Sequence, residues 1–169
     1  MPTMTMQDEI ILKLIEFEKG QPKRVQHFLK VFAYAHLIGK AEGLVPRQQL
    51  LTEIGAIVHD IGITPSKEKY GYCDSITQGI EGPIRVRRLF AEVKHDLTEQ
   101  EIERICYLIK MHHNYEQIEG IDYRILVEAD FLVNAFEEKL DKESIQIVKE
   151  KIFRTNMGIK LLETMFLEQ

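Results

Sequence analysis

Apolar residues recur three and four positions apart along almost the whole chain, and this periodicity limits the fold more than any other feature. Such spacing places apolar side chains on one side of an α-helix, whereas a half-buried strand needs strict alternation. Tryptophan is absent, and only five prolines interrupt a chain of 169 residues. The sequence therefore predicts an all-α protein, a bundle of about six to seven helices.

Glycine, proline and capping residues divide the pattern into separate predicted helices. Gly20 and Pro22 separate the first two, and Thr98 with Glu101 forms a capping box before another. The predicted helices cover residues 4–19, 22–40, 47–59, 79–94, 99–111, 122–140 and 142–168. The helix 79–94 is expected to turn Ile80, Ile84, Leu89 and Phe90 inward. Residues 64–78 lack clean periodicity and are predicted to form a loop, of a length that is often functional.

Length and charge restrict the classes of function. A chain of 169 residues is expected to form one domain, and its core needs no structural metal at this size. Lys plus Arg total 22 against 27 Asp plus Glu, a net charge of -5. This balance lacks the basic face of a nucleic-acid binder, so no nucleic-acid partner is predicted. A small anionic substrate remains compatible, because a local site can be cationic on an acidic protein.

The cysteines and the hydropathy pattern predict the compartment. Cys73 and Cys106 lie far apart and match neither a redox motif nor a zinc knuckle, so they are interpreted as reduced thiols. The amino terminus lacks the pattern of a signal peptide. No uncharged apolar stretch approaches the ~18 residues that a membrane span needs. We therefore expect a soluble, cytoplasmic protein with no membrane partner.

Several groups that can bind metals stand in apolar helical settings. They are His27, the pair His59 and Asp60, the pair His112 and His113, and Asp130. Taken singly, each is more often a core histidine or a member of a buried ion pair. Taken together they are harder to explain structurally, because each buried group would need its own partner. The pattern suggests one buried metal site, whereas His36 and His95 are interpreted as structural.

The order of these motifs resembles that of a known superfamily. Arg24-x-x-His27, His59-Asp60-Ile61-Gly62, His112-His113 and Glu128-Ala129-Asp130 follow one another as in the HD-domain metal-dependent phosphohydrolases. The resemblance covers about residues 23–136 and implies an HD-type helical bundle. The helices 4–19 and 142–168 are then expected to pack on this core as parts of a single domain.

The resemblance also implies a ligand set. Its first His, its His-Asp pair and its late Asp correspond to His27, His59, Asp60 and Asp130. His112 or His113 would bind a second metal or the phosphate. Some relatives place another His between these motifs, where this chain has only His95. A fully binuclear site is therefore disfavoured.

The donor types agree with hydrolytic chemistry. Imidazoles and carboxylates together suit Mn, Fe, Co, Ni or Mg better than structural zinc, with one or two ions per chain. A bound divalent ion acidifies water and polarises a phosphoryl oxygen. The sequence thus predicts a phosphohydrolase acting on a phosphomonoester or phosphoanhydride. By analogy alone, the substrate is predicted to be a nucleotide.

Charged residues near these motifs are candidates for substrate binding. The phosphate candidates are Arg24, Lys67, Arg85 and Arg88, and the candidates for support or proton transfer are Glu53 and Glu81. Structural alternatives stay open, since Arg24 can also brace Asp60 or a helix end. Arg85 and Arg88 can equally be solvated.

Other functions remain as alternatives. The residues after His113 lack the Gly-Tyr-Pro signature of cyclic dinucleotide phosphodiesterases, which disfavours that activity. The second hypothesis is a non-catalytic regulatory module that binds a metal or nucleotide in the same pocket. A helical interaction module is the third. The last helix covers either the core, which is favoured, or a second subunit, so a homodimer also stays open.

Overall fold

The structure, a computed structural model, describes residues 2–168 and confirms the all-α fold class. Within that range the chain forms nine α-helices, one terminal π-helical turn and no strand. The helices are α1 Met6–Phe17, α2 Pro22–Ala41, α3 Pro46–Val58, α4 Ile63–Tyr70, α5 Ser75–Glu92, α6 Glu99–Met111, α7 Ile121–Glu137, α8 Lys142–Ile152 and α9 Asn156–Leu162, followed by the π-helical turn Glu163–Leu167. None of the helices in the described range is long and apolar enough to cross a membrane.

The described chain divides into two compact units. The first comprises residues 2–29 and 57–113, and the second comprises residues 30–56 and 114–168. The single domain expected from the sequence stays a prediction.

In the first unit, α5 is the central helix and packs against α1, α4 and α6. Its contact with α6 is close, since a Cβ on Gly82 would lie 2.4 Å from the Ile109 side chain. The predicted capping box at Thr98 is present, because Thr98 and Glu101 exchange backbone-to-side-chain hydrogen bonds. Such caps satisfy amide groups that the first turn of a helix leaves unpaired.

The prediction of a loop over residues 64–78 is wrong, because residues 64–70 belong to the helix α4. Only Ser66 is fully buried in this helix, so α4 carries no apolar stripe that periodicity could reveal. Gly71 ends the helix with a φ of 79°, a left-handed conformation that glycine adopts without strain. A second capping box, between Asp74 and Thr77, then starts α5.

The inward face of α5 also differs from the prediction. Ile80 is 49% exposed and Ile84 is 61% exposed, whereas Leu89 is fully buried as expected. The first half of α5 instead turns Gln78 and Gly82 inward. The usual pattern is reversed here, because the apolar stripe lies outside and polar residues lie inside. The apolar periodicity therefore predicted the wrong buried face for the first half of α5.

In the second unit, α7 contacts α8 and α9, and the predicted helix 142–168 is interrupted. Buried Glu128 of α7 accepts hydrogen bonds from the backbone N–H groups of Arg154 and Thr155 and from the Thr155 hydroxyl. Those two residues therefore leave the helical path. Thr155 then caps α9 by accepting a hydrogen bond from the Gly158 N–H.

Candidate metal centre

Three segments of the first unit bring the candidate ligands together. His27 lies on α2, and His59 and Asp60 follow the last residue of α3 in a tight turn. His112 caps the carboxyl end of α6, and His113 follows it. Apolar residues anchor these ends, since Ile57, Val58, Leu108 and Ile109 are at most 1% exposed. Core packing thus positions polar side chains at the carboxyl ends of two helices, α3 and α6.

The carboxylate of Asp60 is the centre of the cluster. Its Oδ2 lies 3.3 Å from His27 Nε2 and 3.2 Å from His59 Nε2. Its Oδ1 lies 3.2 Å from His112 Nε2 and accepts a hydrogen bond of 2.8 Å from Gln78 Nε2. Within the first unit, the potential ligand atoms form two sets, each with its atoms within 4.8 Å of one another: His27 with His59 and Asp60, and Asp60 with His112 and His113.

The tautomer of His112 tests whether these residues fit a cation. Its Nδ1 donates a hydrogen bond of 2.8 Å to the Ile109 carbonyl oxygen, so in the neutral ring Nε2 carries a lone pair. This Nε2 is buried and makes no hydrogen bond, yet it faces Asp60 Oδ1. Two lone pairs that face each other are unfavourable unless a cation or proton lies between them. Metal-binding histidines commonly donate their other N–H to a backbone carbonyl in this way, so the residues fit a metal ion.

Electrostatics keep Asp60 ionised. Burial alone would raise its pKa, but the charge of His59 and the close approach of the imidazoles of His112, His27 and His59 hold that pKa well below its usual value. His59 and His27 approach each other as well, with 3.2 Å between their Nε2 atoms. An ionised carboxylate among imidazoles is a donor set that suits a divalent first-row metal.

Glu18 and Thr64 lie beside Arg24, and the sequence did not single out either residue. Glu18 Oε2 is 3.5 Å from Arg24 Nε and accepts a hydrogen bond of 2.7 Å from the Thr64 hydroxyl. Burial raises the pKa of Glu18, which is 4% exposed, and the charge of Asp60 acts in the same direction. The Arg24 guanidinium is therefore braced by Glu18.

The other predicted cations also lie in the first unit. The guanidinium groups of Arg85 and Arg88 stand over the Phe17 ring, 4.5 Å and 5.7 Å from its centroid. The charge of Lys67, on α4, influences the pKa of the Cys73 thiol. Burial raises the pKa of that thiol, Asp60 raises it further, and Lys67 lowers it.

Both predicted supporting carboxylates have partners of their own. Glu81 accepts hydrogen bonds from Lys69 Nζ and the Tyr70 hydroxyl, at 2.9 Å and 3.0 Å. Glu53 belongs to the second unit, where Gln49 Nε2 donates to it at 2.6 Å and His36 Nδ1 lies 3.3 Å away. These contacts account for the burial of both acids.

Asp130 is also in the second unit, on α7, where it is 5% exposed. Its burial agrees with the apolar sequence around it. Its assignment as a ligand stays a prediction from the resemblance.

Sequence reasoning missed Gln78, whose amide contacts two of the predicted ligands. Gln78 is 2% exposed. Besides its bond to Asp60, its Oε1 lies 2.9 Å from His113 Nε2. The available signal was its position four residues before Gly82, on the same face of the helix. A small residue such as Gly82 marks a face that packs closely against another segment. The expected inward face of α5 concealed that signal.

The fold and the site together define a class of protein, an all-helical protein in which histidines surround an aspartate. The family model of the HD domain matches residues 24–154, so the chain belongs to the HD domain family. Among solved structures, a predicted HD superfamily hydrolase from an uncultured Thermotogales bacterium is similar in fold. Its TM-score is 0.63 at 21% identity, over 92% of this chain and 82% of that one. No curated protein matches the sequence.

Proposed function

We propose that this chain is a metal-dependent phosphohydrolase that acts on a phosphomonoester or phosphoanhydride. One observation carries the proposal: the lone pair of His112 Nε2 is buried, makes no hydrogen bond and faces the ionised Asp60. A purely structural cluster gains nothing from this arrangement, because an unsatisfied buried polar atom costs about 1–3 kcal/mol. A bound cation would convert this cost into binding free energy.

We assign the ion to His27, His59 and Asp60, with Asp130 as a fourth ligand on the resemblance alone. His112 and His113 are proposed to bind a second ion or the phosphate. Mn, Fe, Co, Ni and Mg all suit such donors. When bound, a divalent ion supplies acidified water and offsets negative charge on a phosphoryl oxygen.

The protein's own groups have separate tasks in this proposal. Asp60 keeps its negative charge at neutral pH, and the Ile109 carbonyl orients the ring of His112. Fully buried Ile57 and Val58 exclude water behind the centre. Removing water from one side strengthens electrostatic interactions with a phosphorylated substrate.

We propose a small anionic substrate, specifically a nucleotide. Arg24, Lys67, Arg85 and Arg88 of the first unit supply the cationic groups, and Arg24 supports this assignment best because it is braced by Glu18 and only 19% exposed. The nucleotide part depends on the family resemblance, and so does a cytoplasmic location. The homodimer stays an open prediction.

A phosphate-release assay tests the proposal. Nucleoside mono-, di- and triphosphates and p-nitrophenyl phosphate are each incubated with the protein and Mn, Co, Ni or Mg. We expect metal-dependent release that Asp60→Asn abolishes. The matched variant Asp96→Asn, at an exposed position, should keep it. Nucleotide binding without turnover in the parent protein would instead support the regulatory module.

A further inference from the structure

Arg24 lies next to the candidate metal centre with one of its donors unsatisfied. It is one helical turn before His27 on α2, and its side chain is 19% exposed. Its Nε is buried and makes no hydrogen bond, although Glu18 Oε2 lies 3.5 Å away. Glu18 therefore holds Arg24 in place without satisfying all of its donors. A phosphate oxygen is an acceptor that a guanidinium binds well.

Arg85 is a second cation near this carboxyl group. It follows Gln78 by seven residues on α5, about two helical turns, so both side chains leave the same face of the helix. At this face Gln78 donates a hydrogen bond to Asp60. Burial raises the pKa of Glu18, and the charges of Arg24 and Arg85 both lower it. Both arginines therefore lie within electrostatic reach of one carboxyl group.

The turn between α3 and α4 connects these groups. A Cβ added to Gly62 would lie 2.9 Å from the Gly82 amide nitrogen, so this turn packs directly against α5. Arg85 follows Gly82 by about one helical turn. Thr64, two residues after Gly62, donates a hydrogen bond of 2.7 Å to Glu18. The end of the turn thus lies close to both arginine-bearing segments.

The ring of Phe17 positions the Arg85 guanidinium, which stands 4.5 Å from the ring centroid. Arg88 shares the ring at 5.7 Å, and its Nε lies 3.6 Å from Glu92 Oε1. Arg85 makes no ion pair within residues 2–168, the part of the chain that the structure describes. Stacking engages the face of a guanidinium and leaves its N–H edge for an anion. A phosphate group would supply the carboxylate's missing counterpart at Arg85.

We propose that Arg85 binds a second phosphate of the substrate, so that the preferred substrate is a phosphoanhydride rather than a phosphomonoester. This inference rests on the proposed function and narrows its substrate class. The first phosphate lies at the centre beside Arg24, and the phosphate linked to it lies at Arg85.

The hydrolytic step assigns a task to Arg85. Water adds its oxygen to the phosphorus at the centre, and one proton of that water passes to solvent. The bridging P–O bond breaks, and the bridging oxygen leaves with its electron pair on the phosphate that Arg85 binds. A positive charge at this position offsets the negative charge that develops on the leaving group.

ADP and AMP, which differ by one phosphate, test the inference. Each is incubated with MnCl2 and the parent protein, Arg85→Gln or Arg85→Lys, and initial phosphate release gives kcat/KM. The parent should favour ADP. Arg85→Gln should lower kcat/KM for ADP by about 10–100-fold, as expected for one hydrogen bond to a charged group, and leave the value for AMP unchanged. Arg85→Lys should recover part of the loss, because it keeps the positive charge.

The control variant is Arg87→Gln. Arg87 lies on the same helix but is paired with Glu99 at 2.7 Å, so this variant should hydrolyse ADP as the parent does. Thermal unfolding monitored by circular dichroism verifies that each variant is folded. Equal kcat/KM for ADP and AMP in the parent would overturn the inference. An equal loss for both nucleotides in folded Arg85→Gln would do the same.

A binding measurement separates failure of this inference from failure of the proposed function. Methylenediphosphonate and methylphosphonate, which contain no P–O–P bond, are titrated calorimetrically into the parent and Arg85→Gln with MnCl2 present. Identical conditions cancel the chelation of free manganese from the comparison. Arg85→Gln should bind methylenediphosphonate about 10–100-fold more weakly than the parent and methylphosphonate equally well. Equal binding of methylenediphosphonate would overturn the inference, whereas absence of hydrolysis of every compound would overturn the proposed function.

Discussion

Single hydrogen bonds decide which lone pairs the candidate centre presents. The Ile109 carbonyl fixes one ring nitrogen of His112 as a donor, so the other faces Asp60 with its lone pair. The Gln78 amide does the reverse for His113, whose Nε2 it keeps protonated. Adjacent histidines thereby acquire different roles, and neither bond is readable from a one-dimensional motif.

Glu18 gives a pH-dependent prediction at the same scale. Its pKa is raised by burial, so the native state keeps this proton at pH values where the unfolded chain, with a pKa near 4.3, has released it. The free energy of unfolding should therefore fall as pH rises through this interval. Glu18→Gln removes the titrating group, so the stability of the parent relative to the variant should decrease between pH 4 and 7.

Urea unfolding of both proteins across that range measures the effect. The test is how the difference in unfolding free energy between the two proteins changes with pH. The loss of the Arg24 contact shifts the unfolding free energy of the variant at every pH and does not affect this test. A relative stability that rises with pH would mean that Arg24 outweighs burial and lowers the pKa of Glu18.

Among the helices, α5 combines an exposed apolar stripe with a polar inward face. Ile84 is 61% exposed and Leu89 is fully buried on the same helix. Ile84→Ala should change the free energy of unfolding by about 0.5 kcal/mol or less. Leu89→Ala should lower it by about 2–5 kcal/mol, because it leaves a cavity. Equal losses in chemical denaturation would place Ile84 inside, as the periodicity had predicted.

The break between α8 and α9 gives a second prediction for an element. Thr155 donates to Glu128 at 2.7 Å and caps α9 through Gly158. Thr155→Val keeps the shape but leaves a buried carboxylate oxygen and an amide unpaired, so it should cost about 1–3 kcal/mol. Thr5 caps α1 at an exposed position by accepting a hydrogen bond from the Asp8 N–H. Thr5→Val, measured by the same urea titration, should cost about 1 kcal/mol. If Thr155→Val proves harmless, Glu128 does not cause the break.

For the molecule as a whole, the sequence predicted the helices whose apolar stripe is complete. Helices α1, α2, α3, α6 and α7 begin and end within a few residues of their predicted bounds. It failed at α4, which has no apolar stripe, and at the break in 142–168, which depends on a distant carboxylate of α7. His27, His59, Asp60 and His112 were predicted because metal-binding groups on apolar helices are conspicuous. Gln78 and Glu18 act through contacts between segments, and the local signal for Gln78, its place four residues before Gly82, did not reveal its partners.

Metal content tests the central claim most directly. The parent protein, His59→Ala and the matched variant His95→Ala are purified without an affinity tag, incubated with MnCl2, desalted and measured by mass spectrometry. We predict near-stoichiometric manganese in the parent and in His95→Ala, and its loss in His59→Ala. Absence of metal from all three proteins, or equal metal in all three, would contradict a centre built around His59 and Asp60.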